Sequence, residues 1–110
     1  MILAVLLVFH TYVHDRLATY GYGGELKLSI SERGYVSGTY RPETDGSLSP
    51  VSGARQGSEI WFDLRTLGGI HVEGTIEPDG SIAGIGTPLG IGTPSRQWVF
   101  SATPEATPKP

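Results

Sequence analysis

The chain has 110 residues, a formal net charge of −3 and no cysteine. That length holds one domain around one core, and the missing thiols exclude disulfides, thiolate catalysis and cysteine-ligated metal centres. Eight basic residues, two of them lysines, are too few and too scattered for a phosphate-neutralising stripe, so no nucleic-acid partner is expected. Charged residues make up 17% and glycine and proline account for 24 of 110 positions. With apolar residues that largely alternate with polar ones, this composition predicts an all-β, turn-rich domain.

The run Met1–Phe9, MILAVLLVF, is the only long apolar stretch. It is too short to span a bilayer, which needs about 20 residues, so no transmembrane span is predicted. It has the length of a signal-peptide core but lacks a basic flank and a small-residue cleavage site. Those absences favour the cytoplasm, whereas a leader role for residues 1–18 would mean export. Its pattern suits either a strand or a helix, and residues 1–19 are read as an apolar N-terminal segment ahead of the main domain.

From Glu25 the apolar residues recur with period two: Leu26, Leu28, Ile30; Ile60, Phe62, Leu64; Ile70, Val72, Ile76. Each set marks a half-buried strand. Three connections read as three-residue hairpins closed by a left-handed glycine. Glu32-Arg33-Gly34 sets Leu26, Leu28 and Ile30 against Tyr40, Gly38 and Val36. Pro78-Asp79-Gly80 sets Ile76 against Ile82. Leu67-Gly68-Gly69 sets Leu64 against Val72, Arg65 against His71 and Asp63 against Glu73. Arg55-Gln56-Gly57 is a fourth candidate, but its face parity is ambiguous, and a bulge near Gly53 would resolve it.

Strands are predicted at 25–31, 35–41, 49–54, 58–66, 70–77, 81–86 and 96–102, with an eighth from the N-terminus. An antiparallel up-and-down meander of seven to eight strands removes its edges by closing into a barrel. The barrel domain is assigned to 20–102. The tandem GIGTP copies in 84–94 are read as a long flexible hairpin loop, and the Pro/Thr-rich residues 103–110 as a disordered tail.

Two segments resemble the avidin and streptavidin family of calycin-type barrels: Arg33-Gly34-Tyr35-Val36-Ser37-Gly38-Thr39-Tyr40 and Gln97-Trp98-Val99-Phe100-Ser101. The resemblance implies a ligand-binding barrel in which Tyr40 matches a tyrosine that bonds the ligand's ureido oxygen and Trp98 a pocket-wall tryptophan. The family's Asn and Ser ureido ligands would fall near Tyr20 and Gly24, which cannot replace them. The barrel therefore carries over and biotin binding does not.

The leading expectation is a small-molecule-binding barrel without a cofactor, lined by Tyr40, Trp98 and Phe100, with homo-oligomerisation as a way to cover the apolar N-terminal segment. Two alternatives stay open, and with them the question of whether the chain is an enzyme. His10 and His14 lie four apart with Asp15 adjacent, so a divalent metal such as zinc, with His71 as a further ligand, would make a metal-assisted hydrolase of esters or lactones. Asp63, His71 and Glu73 form a polar constellation in which facing carboxylates would raise one pKa for acid–base work, unless they lie on the solvent-facing wall. The other alternative is a structural or interaction module, using outward-facing Trp61 or an exposed strand edge.

Overall fold

The computed structural model describes residues 5–15, 21–43, 47–64, 69–88 and 98–105. It contains eight strands: β1 (Val5–Asp15), β2 (Gly21–Ile30), β3 (Tyr35–Pro42), β4 (Ser49–Gln56), β5 (Glu59–Leu64), β6 (Ile70–Ile76), β7 (Ile82–Pro88) and β8 (Trp98–Pro104). Each pairs antiparallel with its sequence neighbour, and β1 pairs with β8 to close the barrel. No helix occurs among the described residues, and none there is long and apolar enough to cross a membrane.

The apolar N-terminal run is strand from Val5 onward, and residues 1–4 lie outside the described residues. Phe9, Thr11 and Val13 are buried, while Leu6, His10 and Tyr12 face outward, the period-two signature of a pleat with one wet face. Its register against β2 pairs Leu7 with Leu28 and Phe9 with Leu26, and against β8 pairs Val13 with Phe100.

The first hairpin has the register the sequence predicts, with Leu26, Leu28 and Ile30 opposite Tyr40, Gly38 and Val36. Gly34 adopts φ +88° and donates its N–H to the Ser31 carbonyl at 3.0 Å. The 77–81 turn repeats the pattern: Gly80 at φ +89° donates to the Glu77 carbonyl, and Ile76 faces Ile82. A side chain at either glycine would be strained, because L-residues avoid that region.

Four expectations are corrected. The β5–β6 register is shifted by two residues, so Leu64 faces Ile70 and Asp63 faces His71. A two-residue slip keeps every side chain on its face, and the apolar pattern cannot distinguish the two registers. The β4–β5 connection is shorter than expected: Gln56 pairs with Glu59 across Gly57-Ser58, and Gly57 takes φ +62°. Removing one loop residue corrects the parity, so pairing runs unbroken through Gly53 without a bulge. Finally, the first GIGTP copy, Gly84–Pro88, is strand rather than loop; the second copy lies mostly outside the described residues. β8 likewise continues through Thr103 and Pro104, while 106–110 lie outside the described residues.

The core is the barrel interior, where Phe9, Leu26, Tyr40, Phe62, Val72 and Phe100 are fully packed. Phe62 and Phe100 meet edge to face at a centroid distance of 5.5 Å. Inward-facing glycines draw the walls together: a Cβ on Gly38 would sit 1.8 Å from the Lys27 carbonyl oxygen, and one on Gly53 2.0 Å from that of Trp61.

Candidate functional site

Of the residues expected to line a ligand cavity, Tyr40 is 0% and Phe100 1% exposed. Both are packed into the core, and Trp98 lies half-buried against it. The Tyr40 ring covers Gly24, whose added Cβ would meet the phenol oxygen at 2.5 Å. The buried Tyr40 and Thr11 hydroxyls are neighbours without hydrogen-bonding geometry, and neither has another partner among the described residues. Burial raises the Tyr40 pKa; Thr11 opposes that rise and the negative charge of Glu43 adds to it.

Open space lies instead at the mouth where β1 begins and β8 ends. Pairing between these strands stops at Phe9 and Pro104, with one further bond from Glu105 N–H to the Val8 carbonyl at 2.8 Å, so among the described residues Leu6 and Leu7 extend beyond the end of β8 and pair only with β2. Among the described residues no strand lies beside β1 on that side at this level. The result is a cleft of about 470 Å³, inside the range of small-molecule sites. Leu7, Phe9, Ile30, Ile60, Ile76 and Ile82 supply its apolar walls. Leu6 and Leu7, 60% and 37% exposed, stand at its edge.

Three charged residues reach this cleft: Arg55, Asp79 and Glu105. Arg55 Nε donates to the Gly57 carbonyl at 2.8 Å, which ties the guanidinium to the β4–β5 turn. Asp79 Oδ1 accepts from Ser81 N–H at 2.9 Å and Ser81 Oγ–H at 2.6 Å, and these two bonds lower its pKa. Glu105 Oε1 lies 3.9 Å from His10 Nε2.

The polar constellation of β5 and β6 occupies the outer wall. His71 Nδ1 lies 2.6 Å from Asp63 Oδ1, and Nε2 lies 3.4 Å from Glu73 Oε1. The carboxylates therefore straddle the imidazole rather than facing one another, and Glu73 stands opposite Trp61. The hydrogen bond to Asp63 is the main cause of a raised His71 pKa; desolvation opposes it and Glu73 assists. Both ring nitrogens therefore face carboxylates, Asp63 closely and Glu73 at the limit of hydrogen-bonding distance. Arg65, expected opposite His71, lies outside the described residues.

His10 and His14 both face outward on β1. Four residues of strand separate them by about 13 Å, whereas ligands of one zinc ion each lie about 2 Å from it. His14 packs against the Tyr12 ring at 5.6 Å, and the Asp15 side chain lies outside the described residues. Among the described residues no three His, Asp or Glu side chains are grouped to hold a metal ion.

The cleft residues were not foreseen from sequence. Leu6 and Leu7 belong to the apolar run whose conformation was open. Arg55 faces inward only because the β4–β5 turn has two residues rather than three. No protein-family model matches this chain, and no curated protein matches it in sequence. The eight-stranded antiparallel closure is consistent with a small calycin-like barrel.

Proposed function

We propose that this protein is a non-catalytic binder of a small apolar molecule, seated at the mouth of the barrel between the β1 overhang and the β6–β7 turn. The observation that carries this reading is the 470 Å³ cleft with its wall of aliphatic side chains and few polar groups, the usual make-up of a small-molecule site. The avidin-like hairpin and strand segments support a binding barrel in general. The packing of Tyr40 and Phe100 supports a seat at the mouth rather than deep inside. Both nitrogens of His71 face carboxylates and the β1 histidines are far apart, so neither favours a hydrolase.

The test is titration with N-phenyl-1-naphthylamine, a neutral apolar fluorophore. Saturable enhancement is expected, and Ile76→Asp, which puts a charge on the cleft wall, should weaken it at least tenfold, or about 1.4 kcal/mol. If the wild-type chain gives no saturable signal, the reading fails.

A further inference from the structure

We infer that the molecule bound in the cleft is amphipathic, with an apolar body and an anionic head group held by Arg55. This inference rests on the binding reading above and gives the ligand a chemical class. Of the inward-facing strand positions among the described residues, Arg55 is the only lysine or arginine. It stands opposite Ile60 on β5, so a guanidinium projects at the level where the apolar walls of the cleft begin.

The formal charges at the rim, one positive and two negative, sum to favour a cation. The hydrogen-bond inventory decides otherwise. Asp79 already accepts two bonds from Ser81, and Glu105 is half-exposed at the rim, 3.9 Å from His10. Arg55 uses only Nε, on the Gly57 carbonyl, and no carboxylate of the described residues pairs with it. A guanidinium carries five N–H donors in a rigid fork, so four remain for a ligand. A carboxylate, sulfate or phosphate monoester matches that fork bidentately, and a charge-assisted pair beside apolar walls is stronger than a neutral hydrogen bond. The bond to the turn carbonyl fixes the fork in advance, which reduces the ordering needed on binding.

The experiment is displacement of N-phenyl-1-naphthylamine by three molecules with the same eight-carbon chain: octanoate, octan-1-ol and octylammonium. Octanoate is expected to displace the probe at a concentration about tenfold below that of octan-1-ol. Raising salt from about 0.05 to 0.5 M should weaken octanoate and leave octan-1-ol unchanged. Arg55→Gln should erase the preference for octanoate over octan-1-ol, and Arg55→Lys should retain part of it. Probe binding with octanoate and octan-1-ol equally effective, or with octylammonium the strongest, would overturn the anionic head and leave the binding reading intact. A chain that binds no probe at all would overturn both. If Arg55→Gln fails to fold, the wild-type series and its salt dependence still decide.

Discussion

At the level of Leu26, Tyr40, Phe62 and Phe100 the barrel interior is filled by its own side chains; at the level of Leu7, Ile30, Ile60 and Ile76, nearer one mouth, it stands open. Both levels are built from inward-facing strand positions, and β2 and β5 contribute to each. They differ in what closes the wall. In the filled level eight strands are paired in a ring, and glycines at 38 and 53 bring neighbouring walls together. At the mouth β1 continues past the last residue of β8, and the turn at Asp79-Gly80 lines the cleft. In a small barrel, then, room for a ligand depends on relative strand length as well as on which residues point inward.

The largest effect expected from breaking this comparison is in the filled level. Phe62→Ala removes a ring that is 1% exposed and should destabilise the fold by about 3–5 kcal/mol, a large part of the stability of a domain this size. Urea denaturation measures it, and a loss below about 1 kcal/mol would mean the interior is less tightly filled than described.

The mouth should respond in the opposite way. Leu7→Asp, at a partly exposed position, should reduce probe affinity at least tenfold while lowering stability by less than about 1 kcal/mol. Parallel fluorescence titration and thermal melts separate the two effects. Equal sensitivity of both levels in both assays would abolish the distinction.

A smaller effect is expected on the outer wall. Folding raises the His71 pKa through Asp63 and Glu73, so the stabilisation is fully present below the unfolded value of about 6.5 and is lost as pH rises through the folded value. The groups are largely solvated, which keeps the contribution under about 1 kcal/mol. The wild-type chain should therefore lose more stability than His71→Gln between about pH 5.5 and 8.5, read from urea midpoints; matching pH profiles would show that the pair contributes nothing.

The smallest effect is predicted for Tyr40→Phe. The Tyr40 hydroxyl is buried without a hydrogen-bond partner among the described residues, and removing an unsatisfied group is close to neutral or stabilising by up to about 1 kcal/mol. Probe affinity should not change. A loss of binding would move the ligand into the interior, as the avidin resemblance implied for this tyrosine.

The strands were legible because each exposes one face, so Leu26-Leu28-Ile30 and Ile60-Phe62-Leu64 state their own orientation. Gly34 and Gly80 set the registers of their hairpins through the turn conformation that they permit. At the β5–β6 connection the same alternation was satisfied by two registers, and Asp63 was paired with Glu73 instead of His71. Tyr40 and Phe100 were correctly placed inward, but inward parity does not separate a cavity from a packed core. That distinction depends on how closely neighbouring backbones approach, and sequence spacing does not carry it. The role of Arg55 hung on a single residue of loop length, and the cleft on where β8 stops relative to β1.

The order of strands also bears on kinetics. Seven of the eight pairings join neighbours in the chain, while the β1–β8 seam joins its two ends. Contacts between distant segments carry the largest loop-closure entropy, so this seam is expected to form last in folding and to part first. Leu7 and Pro104, on its two sides, both line the cleft. A molecule bound there would latch the seam, and its presence should appear chiefly as a slower unfolding rate.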